Sequence, residues 1–532
     1  MEQIMTQPRP TTLPQALLHA AERHGDRPAV VDGDRSRSWA ALRDDVRRTA
    51  AAYVRLGLAP GDRVAIWAPN SLEWVVAALA VSHAGAALVP INTRYKGHEV
   101  VDVLRRTGAT LVVVADGFLG RSQLDELSAA ADDDGTGLPD LRVVVRIGHG
   151  DPATGVHAFD DLAALADDAS LTETDRRAAA VDADDVADIL FTSGTTGRSK
   201  GVVSAHRQTV EAARLWGSTC GVTEEDRYLV VNPFFHSFGY KAGIVVALLS
   251  GCCLYPQATF DVDETLRLIG EERITVLPGA PTIFTSLFAS PGLASIDRSS
   301  LRIAVTGAAS VPVALVERMQ AELGFDHVLT AFGMTECVVA TMCRPGDPDA
   351  LVASTCGAPV PGVEVRIVDP ETGAVVDPGD EGEVQFRGDM VMVGYLDDEE
   401  ATAQAIDRDG WLHTGDVGRV DEQDHLTITD RLKDMYISGG FNVYPAEVEQ
   451  ALARLDGVVE SAVVGMPDER MGEVGRAFVV RTSDEALGAD EVTSFLRERV
   501  ANFKMPRDVV FIDQLPRNAA GKVLKDELRS KP

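Results

Sequence analysis

Short apolar runs alternate with longer amphipathic segments through most of the chain. The run RVAIWA, residues 63–68, predicts a buried strand. The segment SLEWVVAALAVSHAG, residues 71–85, follows it with apolar positions at helical spacing and with Ser71 as a helix N-cap. The next run, AALVPIN at residues 86–92, predicts another strand. Strand–helix–strand repeats of this kind predict an α/β fold.

Three regions depart from that repeat. Residues 121–185 are rich in Asp, Ala and Gly, and we expect them to run over the surface as loops. Residues 362–388 alternate apolar and polar positions around the turns DPETG and DPGDEG, which predicts a β-rich subdomain of hairpins. The end of the chain restarts a small α+β pattern, with helix PAEVEQALARL, strands SAVVGMP and RAFVVRT, helix ADEVTSFLRERV and strand DVVFI.

Composition and charge narrow the class of protein. The 532 residues are 45% hydrophobic and 25% charged, as in soluble proteins of more than one domain. The formal net charge of −31 argues against nucleic-acid binding and against docking on anionic lipid. The six cysteines form no C-x-x-C pair, the first residues lack an apolar signal segment, and the apolar run at residues 242–256 is short for a membrane span. These features predict a cytoplasmic protein without stable membrane association.

The segment FTSGTTGRSKGVVSAH, residues 191–206, is richer in small and hydroxyl residues than a simple turn requires. Two glycines and five hydroxyl side chains lie between Phe191 and Lys200. Glycine lets backbone N–H groups approach an anion closely, and a lysine adds positive charge, so the segment suits a polyphosphate. Its spacing differs from the G-x-x-x-x-G-K-S/T of P-loop NTPases. Taken alone, the segment fits a phosphate loop and a surface turn about equally.

The same segment resembles the signature of the adenylate-forming superfamily, which contains acyl-CoA synthetases, nonribosomal adenylation domains and firefly luciferase. Five further segments resemble that family's motifs in the family's order: TAFGMTE (330–336), GEVQFRG (382–388), WLHTGD (411–416), DRLKDMYISGGFNVYPAEVE (430–449) and LPRNAAGKV (515–523). The resemblance covers nearly the whole chain.

The resemblance implies a two-part architecture within the α/β class. Residues 1–429 would form a large N-terminal domain of mixed sheets with helices plus a β-rich subdomain, and would bind ATP and the acyl group. Residues 430–532 would form a small, mobile α+β domain that carries the hinge at Lys433, the CoA segment and the catalytic lysine.

The implied reaction has two halves and uses ATP, Mg²⁺ and coenzyme A. A carboxylate attacks the α-phosphate of Mg·ATP to give acyl-AMP and pyrophosphate, and the CoA thiol then displaces AMP. Such chemistry depends mainly on positioning and on stabilisation of charge.

The resemblance assigns one set of residues to ATP and AMP. In chain order they are Thr192, Ser193, Gly194, Thr195, Thr196, Gly197, Lys200, Gly307, Ala308, Ala309, Phe332, Gly333, Met334, Thr335, Asp416, Arg431 and Lys522. The catalytic residues would be Thr192, Lys200, Glu336 and Lys522.

Within that set the roles differ. Glu336 would hold Mg²⁺, a cation that prefers oxygen ligands. Phe332 would stack on adenine at a position where the family usually has Tyr. Asp416 and Arg431 would bind the ribose, and Lys522 would reach the carboxylate and the α-phosphate. From the residues alone, a solvated loop carboxylate, a linker ion pair and an exposed turn lysine are the alternatives.

The acyl and CoA sites are assigned in the same way. The acyl pocket would be lined by His236, Phe235, Tyr240 and Val338, although aromatic clusters also form ordinary cores. The CoA path would run along Gly439, Gly440 and Phe441, where many relatives carry Glu in place of Phe441, and Lys504 would meet CoA phosphates unless it is a plain surface lysine.

The match is closer to one group within the family. The segments NPFFHSFGYKAGI, VTGAASVPVALVERMQ, GEVGRAFVV and NFKMPR are similar to the actinobacterial CoA ligases of steroid catabolism, which activate the propanoate left on the fused C and D rings. A bulky polycyclic acid, steroid- or terpenoid-derived, is therefore the implied substrate. The apolar run Cys337-Val338-Val339-Ala340 departs from that pattern near the expected pocket.

Several alternatives stay open. The alternatives are a medium-chain, long-chain or aromatic acyl-CoA ligase, a member performing only one half-reaction, or a stand-alone adenylation enzyme that loads a carrier protein. A non-catalytic nucleotide sensor belongs to a different class, and the presence of both Glu336 and Lys522 argues against it. The expected partners are a small carboxylic acid and CoA, with no nucleic acid, and a homodimer is left open.

Overall fold

The computed structural model describes most of the chain. The described residues are 9–132, 136–148, 154–192, 199–307, 311, 313–431, 434–438, 441–443, 445–468, 471–482, 487–497, 499–500, 504–518 and 522–531.

The strands follow in chain order. They are β1 (Pro28–Asp32), β2 (Arg35–Ser38), β3 (Arg63–Trp67), β4 (Ala87–Pro90), β5 (Leu111–Ala115), β6 (Val143–Ile147), β7 (Val156–Ala158), β8 (Val186–Thr192), β9 (Lys200–Ala205), β10 (Arg227–Val230), β11 (Cys253–Pro256), β12 (Val276–Gly279), β13 (Ile303–Thr306), β14 (His327–Met334), β15 (Cys337–Met342), β16 (Ala358–Pro359), β17 (Val363–Val368), β18 (Gly382–Gly388), β19 (Gly394–Tyr395), β20 (Leu412–Val420), β21 (Leu426–Arg431), β22 (Tyr436–Ser438), β23 (Phe441–Val443), β24 (Val458–Asp468), β25 (Gly472–Arg481) and β26 (Asp508–Phe511).

The helices lie between them. They are α1 (Leu13–His24), α2 (Trp39–Arg55), α3 (Leu72–His83), α4 (Gly97–Thr107), α5 (Gln123–Asp132), α6 (Asp168–Ala180), α7 (His206–Cys220), α8 (Ser237–Gly239), α9 (Val246–Ser250), α10 (Val262–Glu271), α11 (Pro281–Ala289), α12 (Val313–Arg318), α13 (Asp349–Ser354), α14 (Glu399–Ala405), α15 (Pro445–Leu452), α16 (Ala489–Arg497) and α17 (Lys525–Arg529). A π-helical turn, Tyr240–Val245, joins α8 to α9.

Two largely parallel sheets form the main body of the fold. Among the described residues, one has the order β19-β9-β8-β4-β3-β5-β6-β7 and the other the order β16-β15-β14-β13-β12-β10-β11-β1-β2. In the first, β3 to β8 pair in parallel, whereas β9 and β19 add antiparallel at one edge. The predicted α/β architecture is therefore confirmed, and α3 begins as predicted, with the Ser71 hydroxyl accepting from the backbone N–H of Trp74 at 3.2 Å.

Two smaller sheets follow along the chain. The first is antiparallel, in the order β17-β18-β20-β21, and confirms the predicted β-rich hairpins. The second has the order β23-β22-β25-β24, with β26 alongside β25, and packs against α15 and α16 in the α+β pattern expected of the chain end. Among the described residues, none of the helices combines the length and the apolar character needed to cross a bilayer.

The expectation of surface loops over residues 121–185 is wrong. That region contains α5, β6, β7 and α6, and β6 extends the parallel sheet with Val143 opposite Leu111. Helix α6 has no apolar residues at helical spacing to predict it, because its buried positions are the small polar residues Ser170 and Thr174. An ion pair of 2.7 Å between Arg47 and Asp175 joins α6 to α2.

Candidate active site

The segment rich in glycine and hydroxyl residues connects two antiparallel strands. Thr192 at the end of β8 lies opposite Lys200 at the start of β9, and the Thr192 hydroxyl donates to the Lys200 carbonyl at 3.4 Å. Arg106 on α4 donates to the Ser199 carbonyl at 2.8 Å and its guanidinium lies 4.9 Å from the centre of the Phe191 ring. The stem of the loop is thus held from a neighbouring helix.

The loop itself lies outside the described residues, and so do several other predicted positions. They are Ser193, Gly194, Thr195, Thr196, Gly197, Ala308, Ala309, Lys433, Gly439 and Gly440.

Tyr395 links the phosphate-loop lysine to the predicted metal ligand. Its hydroxyl donates to Oε1 of Glu336 at 2.9 Å, and the Nζ of Lys200 lies 4.6 Å from the centre of its ring. Tyr395 reaches this position because β19 pairs with β9, which places Tyr395 opposite Val202. An ammonium group over a tyrosine ring is attracted by the ring's quadrupole, so Lys200 is held beside the carboxylate.

The ionisation of Glu336 depends on its neighbours. Glu336 is only 7% exposed, and burial raises the pKa of its carboxyl above the ordinary value. The hydrogen bond from Tyr395 and the charge of Lys200 lower that pKa, whereas the carboxylate of Asp416 raises it. Tyr395 contacts both Glu336 and Lys200, so these three side chains lie together.

The donor set fits a magnesium ion that is held largely by its substrate. Within the part of the chain that the structure describes, no group of three or more His, Cys, Asp or Glu side chains could hold a metal. Mg²⁺ commonly binds one or two carboxylates together with the phosphates of a nucleotide. A single buried carboxylate next to Lys200 has that character, and Glu336 supplies it.

The predicted adenine segment forms the end of β14 and the turn into β15. The Phe332 ring is half-buried and lies 5.8 Å from the Phe386 ring. Gly333 permits a very close backbone approach, because a Cβ there would lie 2.1 Å from the carbonyl oxygen of Val338. Gly307, just after β13, lies beside β14, since a Cβ there would be 3.0 Å from the Ala331 carbonyl oxygen. Met334 and Thr335 complete the turn and are half-buried.

Asp416 is supported by the motif that precedes it. It is 4% exposed and lies opposite Arg431 in the β20–β21 pairing. Its backbone N–H donates to the Thr414 hydroxyl at 3.0 Å, and that hydroxyl donates to the Val384 carbonyl at 2.7 Å. Glu383 accepts from the Gly415 N–H at 3.3 Å. The segments GEVQFRG and WLHTGD therefore form one hydrogen-bonded support for the Asp416 carboxylate.

The residues predicted to line the acyl pocket differ in their exposure to solvent. His236 is exposed, and its Nδ1 accepts from the Phe238 N–H at 3.2 Å. Desolvation by the surrounding protein lowers the pKa of His236. Phe235 and Val338 are half-buried. Tyr240, in contrast, is 1% exposed, and its ring lies 5.9 Å from that of Trp74 in the core.

The remaining predicted residues belong to the C-terminal part of the chain. Lys522 is exposed on a turn closed by Asn518, whose backbone N–H donates to the Lys522 carbonyl at 2.9 Å and whose side chain accepts from the Lys522 N–H at 2.9 Å. Lys504 is half-buried, and Phe441 begins β23. The structure thus brings Lys200 and Glu336 together through Tyr395, while Lys522 and Lys504 lie with the sheet of β22 to β26.

Sequence reasoning missed Tyr395, Arg106 and Glu383. Glu383 lies in a recognised motif, as the second residue of β18, so a local signal was available. Tyr395 and Arg106 carry no such local signal, because each meets the site through pairing with a distant part of the chain.

Comparisons with known proteins find relatives along nearly the whole chain. A family model described as AMP-binding enzyme matches residues 17–396, and one described as AMP-binding enzyme C-terminal domain matches residues 447–522. The chain is 56% identical to a Rhodococcus jostii protein over 98% of this chain and 99% of that one. It is 54% identical to a Mycobacterium tuberculosis protein over 97% of this chain and 98% of that one.

Both relatives are named as CoA ligases for a 7a-methyl-1,5-dioxo-octahydro-1H-inden-4-yl propanoyl group. The crystal structure of ATP-bound MatB from Rhodopseudomonas palustris superposes with a TM-score of 0.85 at 32% identity, over 98% of both chains.

Proposed function

The chain belongs to the AMP-binding enzymes and is an AMP-forming acyl-CoA ligase, and on this premise we propose that its acid is a propanoate on a fused bicyclic ring derived from a steroid. The observation that carries the proposal is the 56% identity to a ligase of that name over nearly the full length of both chains. The apolar stretch around half-buried Val338, together with accessible His236, suits a ring system without charge.

Adenylation is proposed to take place between the phosphate-loop hairpin and Glu336. Thr192, the loop at residues 193–198 and Lys200 bind the β- and γ-phosphates. Glu336 would hold Mg²⁺, which when bound neutralises charge on the phosphate oxygens. Phe332 stacks on adenine and Asp416 accepts from the ribose hydroxyls. A carboxylate oxygen of the acid then attacks the α-phosphorus, the bond to the β-phosphate oxygen breaks, and pyrophosphate leaves while Lys522 stabilises the developing charge.

Thiolation is proposed to use the C-terminal part of the chain. The CoA thiol loses its proton and its sulfur attacks the acyl carbon, after which AMP leaves with the electron pair of the bond to the acyl group. Gly439, Gly440 and Phe441 would line the pantetheine path, and Lys504 would meet the CoA phosphates. Arg431 would orient the nucleotide beside Asp416, its register partner.

We propose the boundary between the two domains at residues 429 and 430, with Lys433 as the hinge. Asp430 lies on β21 of the antiparallel sheet β17-β18-β20-β21, whereas Asp434 contacts Arg529 on α17 at 3.3 Å. The chain therefore passes from that sheet to the C-terminal part between these two residues, and a 2.9 Å hydrogen bond from the Ala446 N–H to Asp430 joins the two sides. Lys433→Pro fixes φ near −65° and removes an N–H. We expect it to spare pyrophosphate formation and to abolish CoA-thioester formation, whereas unchanged thiolation would place the hinge elsewhere.

The proposed setting of the enzyme follows from its substrates and thiols. The acid and CoA are its partners, and a homodimer is left open. The cysteines are free and Cys220, Cys252, Cys253, Cys337 and Cys343 are buried, which suits the reducing cytoplasm.

A panel of acids tests the proposal. The kcat/KM of the purified enzyme would be measured for acetate, octanoate, ferulate and a methyl-dioxo-octahydroindenyl propanoate, with pyrophosphate and acyl-CoA assayed separately. Because each buried CH₂ contributes ~0.8 kcal/mol, we expect the bicyclic acid to exceed acetate by at least ~100-fold. A preference for octanoate or ferulate would overturn the substrate, and pyrophosphate without acyl-CoA would favour a carrier protein as acceptor.

A further inference from the structure

A buried ion pair lies behind the phosphate-loop hairpin and has no part in the mechanism above. The Nζ of Lys241 lies 2.9 Å from Oδ1 of Asp188, and the two side chains are 2% and 0% exposed. The Thr209 hydroxyl donates to Oδ2 of Asp188 at 2.6 Å, and the Lys241 ammonium donates to the Ser204 hydroxyl oxygen at 2.8 Å. These four side chains form a polar network inside an otherwise apolar region.

The network joins the parts of the chain that handle the two substrates. Asp188 and Ser204 are register partners on β8 and β9, the strands that carry the phosphate loop. Lys241 lies in the π-helical turn shortly after His236, on the proposed acyl segment. That segment folds back tightly, since a Cβ at Gly239 would lie 2.2 Å from the carbonyl oxygen of Pro233. The ion pair thus directly connects the proposed acyl segment to strand β8 of the β8–β9 hairpin.

Stability does not explain such a pair. Removing two charges from water costs several kcal/mol for each, and well-packed apolar residues in their place are often neutral or stabilising. A buried lysine and aspartate that pair through their charges do, however, specify one relative position of the elements they join. Position matters for this reaction, because a displacement of about 1 Å between reacting groups can cost ~100-fold in rate.

We propose that Lys241 is a positioning residue for adenylation: paired with Asp188, it fixes the acyl segment against the β8–β9 hairpin so that the acid's carboxylate meets the α-phosphate of ATP. The proposal rests on the ligase chemistry but not on the identity of the acid. Thiolation takes place after pyrophosphate has left and does not need this alignment. Loss of this ion pair should therefore slow adenylation and leave the rate of thiolation nearly unchanged.

The test uses a double variant, Asp188→Asn with Lys241→Met, in the full-length enzyme. It removes both charges together, keeps similar side-chain volumes, and leaves an amide oxygen in place of the Asp188 carboxylate to accept from Thr209. We expect adenylation to fall at least ~10-fold in kcat, with ATP affinity and the conversion of supplied acyl-AMP to acyl-CoA each retained within about 3-fold. The acid is whichever member of the panel the wild type uses best, so a wrong substrate assignment does not affect the result.

A matched control neutralises a second ion pair away from the hairpin. Asp226→Asn with Arg302→Met removes the pair between Asp226 and Arg302, which directly precede β10 and β13, and should change both half-reactions by the same factor. Ser204→Ala removes one partner of the Lys241 ammonium and leaves its ion pair with Asp188. If the double variant is unstable, this variant should show a smaller loss of adenylation, again with thiolation retained. Equal loss in both half-reactions, or no loss in either, would overturn the positioning role.

Discussion

The Tyr395 hydroxyl donates a 2.9 Å hydrogen bond to Oε1 of Glu336, a residue 59 positions earlier in the chain. The same tyrosine ring receives the Lys200 ammonium at 4.6 Å. One side chain thereby holds both a phosphate-binding lysine and the carboxylate that would bind magnesium. The two contacts use different parts of the tyrosine, and a substitution can separate them.

Tyr395→Phe should weaken the use of Mg·ATP, most of all in acid. The ring beneath Lys200 remains, but Glu336 loses a hydrogen bond that lowers its pKa, so the already raised pKa rises further. The ionised form is then lost at a higher pH as acid is added, and the acid limb of kcat/KM for Mg·ATP should move upward in pH. At neutral pH we expect a loss of about 10-fold, the effect of one hydrogen bond to a charged group.

The control for this variant is Tyr255→Phe, which removes a hydroxyl near Glu272 and Arg227 instead. This control should leave the pH dependence of kcat/KM for Mg·ATP unchanged. An unshifted acid limb in Tyr395→Phe would mean that the Tyr395 hydroxyl does not tune the ionisation on which activity depends.

Lys522→Ala should slow adenylation but not thiolation. Lys522 lies exposed on the turn closed by Asn518. Removing one preorganised charge donor typically costs ~10²–10³ in rate. Pyrophosphate formation should fall by that factor, whereas supplied acyl-AMP should still give acyl-CoA. Lys531→Ala, on the exposed chain end, serves as control, and an equal loss in both assays would rule out a role confined to adenylation.

The elements and motif residues that could be predicted from the sequence are those that lie within one short segment. The strand β3, the helix α3 with its Ser71 cap, and the motif residues Lys200, Glu336 and Asp416 each lie within a short recognisable pattern. Helix α6 was missed because its buried face is small and polar rather than apolar.

Residues that join distant segments were not identifiable in the same way. Lys241 interrupts an apolar stretch, and the sequence does not show which residue it pairs with. Its partner Asp188 lies on a strand 53 positions earlier, and only the folded structure brings the two side chains together. Tyr395 likewise depends on the pairing of β19 with β9.

Gly333→Ala should impair nucleotide binding and stability together. The added Cβ would lie 2.1 Å from the Val338 carbonyl oxygen, so the β14–β15 turn must move. We expect a destabilisation of ~1–3 kcal/mol, as for other overpacked sites, and a raised KM for ATP. Gly270→Ala is the matched control, because its Cβ would meet Ile296 at an ordinary 3.4 Å within a helix. A normal KM for ATP in Gly333→Ala would separate this turn from the adenine site.

His83→Leu should make folding less sensitive to acid. Burial lowers the pKa of His83 to about 4, and its Nδ1 has no hydrogen-bond partner among the described residues. The unfolded chain, with a His pKa near 6.5, therefore binds the proton more readily, and stability falls as the pH drops from about 6.5 towards 4.

Leucine removes this contribution, which is worth up to about 1.4 kcal/mol per pH unit. Urea unfolding at pH 7 and pH 5 measures it, with exposed His98→Leu as the comparison. A pH dependence identical to wild type would contradict a neutral, buried His83 in the native state.

The pairing of β9 with β19 has a consequence for synthesis on the ribosome. The two strands are about 190 residues apart in the chain, with Val203 opposite Gly394. At 5–20 residues per second, roughly 10–40 s pass between the emergence of the first strand and that of the second. During that interval the nascent chain carries an uncovered strand edge of the kind that recruits other chains. The ligase should consequently depend on chaperones that shield nascent chains, and messages truncated before codon 394 should yield aggregates rather than a smaller soluble domain.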